Sequence, residues 1–269
     1  MHYREYPPSP DLAPFVRCFW TLSGAPPQGA PERLLPDGRT EIAIHLGDPF
    51  DRLVAPGCRE RQHRALFIGQ LDTHVSLEPT GVVSVFGACF HPDGASAFTH
   101  WPQHETAGYI LPLDDIWGAG ACALEESVRN ACGHTGRIAA AESFLRRRIR
   151  RREPDPRLRA AIELIEREPW QHIAAIAAST GSTARRLERV FLDRVGCPPK
   201  TLARINRFQR VLALREQRPH WNWARAAAES GYYDQAHLIA DFRRFSGSTP
   251  ALHQDDVTAM ERLFLQARR

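Results

Sequence analysis

Ile173-Ala174-Ala175-Ile176-Ala177-Ala178-Ser179-Thr180-Gly181-Ser182-Thr183-Ala184-Arg185-Arg186-Leu187, closing at Gly196-Cys197-Pro198-Pro199, has a second version further along the chain. That version is Ala227-Ala228-Glu229-Ser230-Gly231-Tyr232-Tyr233-Asp234-Gln235-Ala236-His237-Leu238, closing at Gly247-Ser248-Thr249-Pro250. Leu187, Phe191, Gly196 and Pro199 recur as Leu238, Phe242, Gly247 and Pro250, each 51 positions on, whereas Gly181 recurs as Gly231, 50 positions on. The copies therefore differ by one residue in a turn. Each reads as a short Ala-rich helix, a glycine turn, and a helix opening at Ser182-Thr183 or Asp234, residue types whose side chains accept N-terminal amides. Helix, glycine-containing turn, helix is the helix-turn-helix pattern. Two such motifs in register are hard to explain by core packing alone.

The formal charge of +4 hides a division. Residues 1–145 carry 10 Arg against 17 Asp and Glu, a net of −7, and residues 146–269 carry 25 Lys and Arg against 14 acids, a net of +11. Such asymmetry points to a polyanion-binding half joined to something else. At 269 residues the chain is long enough for about two domains. With 43% apolar and 25% charged residues it is of ordinary globular composition, which excludes fibrous, collagen-like and wholly disordered chains. No window approaches the roughly 18 apolar residues of a spanning helix, and the N-terminus shows no secretory apolar region. No membrane partner and a cytoplasmic location are expected. The six cysteines include no C-x-x-C pair, in keeping with a reducing compartment.

The first 120 residues read as a β-rich domain, a barrel or sandwich with a cupin-like form among the alternatives. Thr40-Glu41-Ile42-Ala43-Ile44-His45-Leu46 alternates after a Pro36-Asp37-Gly38 turn, and Ala65–Gly69 and Val82–Phe90 are further runs of strand type. Over residues 121–153 the period becomes helical. Leu124, Val128 and Ala131 mark one helix; Ile138, Ala141, Leu145 and Ile149 mark a second, which ends in the basic run 146–152. This stripe either caps the β domain or pairs with a second copy, and a homodimer through the N-terminal domain and helices 121–152 is expected. Glu153-Pro154-Asp155-Pro156 breaks the pattern. Residues 154–254 are helical throughout, and residues 255–269 form a helical tail. The fold class is α+β overall: a β-rich domain, two helices, then an all-α domain with two helix-turn-helix motifs.

The two quoted stretches resemble the paired helix-turn-helix motifs of AraC/XylS-type transcriptional regulators over residues 157–253. Residues 1–115, with Leu35-Pro36-Asp37-Gly38 and Phe90-His91-Pro92-Asp93-Gly94, look like the sensor-type N-terminal domain of one branch of that family. The resemblance implies a seven-helix unit whose motifs are joined by a long helix near residues 200–216. Its two recognition helices, 183–194 and 235–245, would enter successive major grooves roughly 34 Å apart. The partner is then double-stranded DNA, with RNA polymerase as a further one.

On the first recognition helix Ala184, Leu187, Val190 and Phe191 share one face. Arg185, Glu188 and Arg189, at i, i+3 and i+4, share the other. Arginine forks onto guanine and glutamate accepts from cytosine, so these three are candidate base readers; the alternative is a solvated face with an internal Arg–Glu pair. A shift of 51 carries those positions to Ala236, Ile239 and Ala240, where many relatives place a basic or amide side chain. Those three can touch a thymine methyl but make no bidentate hydrogen bond, and Gln235 remains able to read adenine. The first motif is thus expected to discriminate sequence and the second to anchor. Thr183, Arg186, Lys200, Arg204, His237, Arg243 and Arg244 are expected on the DNA backbone, where contacts set register and salt dependence.

The β domain offers no nucleophile elbow, P-loop or dinucleotide-binding glycine motif, so catalysis is not expected. His45, His91, His100 and His104 show no metal-ligand spacing, and neither a metal nor a cofactor is expected. Cys89, in an apolar run, reads as a core residue. Two roles are left for this half: a sensor of a small-molecule effector, or a ligand-free dimerisation or partner-binding scaffold.

Overall fold

The computed structural model describes residues 1–25, 31–150, 153–255 and 257–267, without the side chains of 254, 255, 266 and 267. Strands β1 (His2–Tyr6), β2 (Val16–Gly24), β3 (Glu32–Leu34), β4 (Glu41–His45) and β5 (Asp51–Ala55) are followed by β6 (Cys58–Arg61), β7 (Ala65–Ile68), β8 (Val75–Glu78), β9 (Val83–Phe90) and β10 (Ile110–Pro112). They form an antiparallel six-stranded sheet, β1-β2-β9-β4-β7-β10, and a four-stranded one, β3-β8-β5-β6. The alternation along each strand explains the layers. On β4 and β7, Ile42, Ile44 and Phe67 enter one core while Ala43, Leu66 and Ile68 enter the other. On β2, Val16 and Phe19 face the first core and Cys18, Trp20 and Leu22 the second. A bulge between Val16 and Cys18 makes that change of phase.

The second core lies between the two sheets. The first is covered by α1 (Leu113–Trp117), α2 (Ala119–Asn130) and α3 (Gly133–Arg148). Leu124, Val128, Ala141, Phe144 and Leu145 are buried there, with Ile138 and Ile149 packed against them. The stripe expected to join a second copy is therefore committed to the chain's own β domain, and the dimer surface expected on helices 121–152 loses its apolar basis. Two members of the basic run are likewise engaged: Arg146 pairs with Asp11 and Glu142, and Arg148 lies 4.0 Å over Phe144. Arg151 and Arg152 fall outside the described residues.

The helical half comprises α4 (Pro156–Arg167), α5 (Ile173–Ser179), α6 (Ala184–Arg194), α7 (Pro199–Gln217), α8 (Trp223–Glu229), α9 (Gln235–Ser246), α10 (Pro250–Asp255) and α11 (Ala259–Ala267). Asp155 caps α4, its carboxylate accepting from the amides of Arg157 and Leu158 at 3.0 and 3.3 Å. The two PDG turns noted in the sequence are two of the places where the halves meet. Leu35 is buried with Ile205 and Phe208 of α7, and Gln209 donates to the Pro36 carbonyl at 2.6 Å. Asp93 pairs with Arg159 of α4 at 3.0 Å.

His45 lies between the sheets, 2% exposed, with Nε2 3.3 Å from Gln62 Oε1. Burial pushes its pKa down to about 4, against the pull of the Gln62 bond. His91 is held near the same value by burial and then by the Arg159 cation. As pH falls from about 6.5, the ordinary histidine value, the unfolded chain takes up a proton that folded His45 refuses until about pH 4. Stability is thus fully present above about pH 6.5 and is lost toward pH 4. We expect His45 to account for a loss of about 1–2 kcal/mol between pH 7 and 5. Thermal melts of His45→Gln should show a shallower decline over that window than the parent chain; equal slopes would contradict this account.

Candidate nucleic-acid interface

The repeat survives at the level of single hydrogen bonds. Gly181 and Gly231 donate to the carbonyls of Ala178 and Ala228, both at 3.1 Å. Ser182 and Tyr232 donate to Ala177 and Ala227 at 2.8 and 3.1 Å. Both turns need a left-handed residue, and the glycines supply it with φ of 65° and 81°. Thr183 caps α6 by accepting from the Arg186 amide at 3.2 Å, and Asp234 caps α9 by accepting from His237 at 2.7 Å. The extra residue of the second turn is Tyr233, 94% exposed beside the start of α9. The one-residue excess was the sequence signal for it, but its side chain was not among the expected contacts.

Leu187 and Phe191 bury the inner face of α6 against Ile176 and Ala177. Arg185, Glu188 and Arg189 are all exposed, and so is Arg186. Among the described ion pairs none involves these residues, so the internal Arg–Glu pair is not formed. On α9, Gln235, Ala236 and Ala240 are exposed, Ile239 and His237 half-buried, and the His237 ring stands edge-on to Tyr232 at 5.0 Å. Lys200 and Arg243 are exposed.

Two expected backbone contacts are placed otherwise. Arg204 turns inward, its Nε and Nη2 donating to Asp241 at 2.9 and 2.6 Å. Asp241 has no exposed surface, and its second oxygen accepts from the Tyr232 hydroxyl at 3.1 Å. Arg204 thus holds the second motif together, because a buried carboxylate must have such partners. Arg244 pairs with Asp72 of the β domain. In compensation, exposed Arg218 and Arg225 stack on Trp221, at 4.3 and 4.2 Å from its ring, just before α8.

Away from this face, a cavity lies where the β domain meets α7 and α11, and Arg17, Arg33, Arg39, Glu41 and Cys89 are among its lining. A second, mostly apolar cavity lies between the sheets, lined by Trp20, His45, Phe50 and Leu77 among others. Asp37, Glu41 and Cys89 bring possible metal-ligand atoms within 4.8 Å of one another. Arg39 stands 3.9 Å from Asp37, so the carboxylates read as counter-ions to arginine, while hydrogen bonding with Cys18 and then burial raise the Cys89 thiol well above its ordinary value and keep it neutral. None of the four histidines weighed in the sequence belongs to it.

Residues 176–254 match the model of a family described as a helix-turn-helix domain. Those residues form a DNA-binding helix-turn-helix domain of the AraC type. The β part, residues 4–112, matches a family described as a domain of unknown function, DUF6597. No curated protein sequence matches the chain. Among solved structures it is similar to ToxT from Vibrio cholerae O395, at 9% identity and a TM-score of 0.50, covering 89% of this chain and 98% of ToxT. ToxT bound to (E)-4-(8-methylnaphthalen-1-yl)but-3-enoic acid is similar to the same degree, 9% and 0.50, over 88% and 99% of the two chains. At that identity the likeness is one of fold. Among the described residues no helix is long and apolar enough to cross a membrane.

The AraC-type domain's dependence on Asp241 can be measured. Asp241→Asn should destabilise the second motif by about 2–4 kcal/mol, since it leaves the Arg204 guanidinium without its anion. Tyr232→Phe, which removes one neutral donor, should cost about 1 kcal/mol. Denaturant unfolding followed by tryptophan fluorescence would compare them; equal costs would contradict the ordering.

Proposed function

We propose that the first motif supplies most of the base discrimination, through Arg185, Glu188 and Arg189, and that the second holds the chain in the adjacent groove. The carrying observation is the contrast between the two equivalent faces. On α6 three charged side chains are exposed and form no ion pair among the described residues, whereas α9 presents Ala236, Ile239 and Ala240 with Gln235 at its start. Backbone contacts come from Thr183, Arg186, Lys200, Arg243 and His237, joined by Tyr233, Arg218 and Arg225. Arg244 joins them when Asp72 releases it.

The β domain is the sensing half. Its support is a partly apolar interior, a set of buried contacts that would carry a change in the β domain to α7 through Leu35 and Pro36, and a fold-related protein solved with an apolar carboxylic acid bound. An effector held there would change DNA affinity or contact with RNA polymerase. The scaffold reading draws less support, because the stripe that would have joined two copies is buried within one.

Binding to a panel of single-base variants at fixed salt tests the division of labour. Substitutions under α6 should cost about 1–3 kcal/mol each and those under α9 less. Arg189→Ala should flatten the preference at one position, whereas Arg218→Ala should weaken all sites alike and lower the salt slope by about one. Equal costs in both half-sites would remove the proposal. For the β domain, a thermal-shift screen against metabolites should yield at least one stabilising ligand.

A further inference from the structure

The C-terminal helix is a structural element of the β domain. It opens with a capping box: the Glu261 amide donates to Thr258 Oγ1 at 3.3 Å, and the Thr258 amide donates to the Glu261 carboxylate at 3.0 Å. From there α11 runs across the β domain. Met260, 4% exposed, joins the core between the sheets. Phe264 meets Tyr3 and Trp20 edge-on at 5.0 and 6.4 Å. The Met260 amide donates to Glu32, 2% exposed, at 2.7 Å. The Glu261 side chain, with no exposed surface, accepts from Arg33 Nε at 3.1 Å. On the opposite side Leu265 is buried with Leu35 and Phe208 in the core of the second motif.

Phe264 lines both cavities of this region. Each retains about 40 Å³, against roughly 300–1,000 Å³ in ligand pockets. The helix takes up the room that a ligand would need, and it does so with an apolar wedge and a buried acid set against an arginine. The same helix ties the β domain to the DNA-binding half. Occupancy of the site and one of the links between the halves therefore meet in one nine-residue helix.

We propose that α11 is a tethered occupant of the effector site, and that a ligand enters the β domain only as α11 leaves it. The proposal rests on the sensing role given above to the β domain. Departure of Met260 and Phe264 opens the interior. Departure of Leu265 in the same event withdraws a core residue from the second motif, so entry of a ligand is read directly by the DNA-binding half.

Full-length chains carrying Glu261→Gln or Phe264→Ala test this, the first loosening the helix without enlarging the cavity. The probe is 1-anilinonaphthalene-8-sulfonate, followed by fluorescence, with circular dichroism confirming that each variant is folded. Both variants should bind the dye at least tenfold more tightly than the parent chain. A synthetic peptide of residues 257–267 added in trans should expel it, and hydrogen exchange of the α11 amides should quicken in both variants. Folded variants with unchanged dye affinity, or a peptide that does not compete, would overturn the proposal. The sensing role fails separately. If α11 behaves as described but no metabolite shifts the melting temperature, sensing is wrong and the occupant stands. If a metabolite stabilises the chain while α11 stays fully protected, the reverse holds.

Discussion

Helix α7 is packed into two cores at once, and much of the molecule follows from that. Leu202 and Ala203 belong to the core of the first motif; Ile205, Phe208, Val211 and Leu212 belong to that of the second. A helix of 19 residues extends about 28 Å. Its rigidity therefore fixes the separation of the two motifs. The β domain grips the same helix through Leu35 and through the Pro36 carbonyl, which accepts from Gln209. A shift of the β domain against α7 is thus felt in the second motif, whose aromatic core centres on Phe208, 5.0 Å from Phe242 and 5.3 Å from Phe245.

Legibility in the sequence varied with how much of each element's environment is local. The repeat could be read because its determinants lie within about twenty residues: a left-handed glycine, a capping side chain, and apolar positions at helical spacing. Strands β4, β7 and β9 could be read because they are buried on both faces. Strands β5 and β6 could not, since Cys58–Arg61 is exposed throughout and the hairpin is held by pairs such as Asp51–Arg61 at 2.6 Å, which leave no apolar period. Two sheets are present where a barrel or a sandwich had been expected, the sandwich being the nearer description.

Charge was the least readable property. Arg204 and Arg243 look alike in sequence, yet the first satisfies a carboxylate 37 positions away while the second is exposed. The position that holds Asp241 in the second motif is filled by half-buried Val190 in the first, so the duplication itself gave no hint of the network. Helix α11 carried a legible signal, Thr258-Ala259-Met260-Glu261, but a capping box says where a helix starts and not what it packs against. Its partners are more than 220 residues away.

The additional residue at Tyr233 and the alanines of α9 make the two motifs unequal, and this has a consequence for the DNA. A symmetric dimer reads an inverted repeat and has no front or back. With the proposed division into one discriminating and one anchoring end, a single chain would be directional: it would lie on the duplex in one orientation, and its site could not be inverted without moving the β domain to the opposite flank. On that proposal, the asymmetry between two copies of one motif would give each bound molecule a heading along the chromosome.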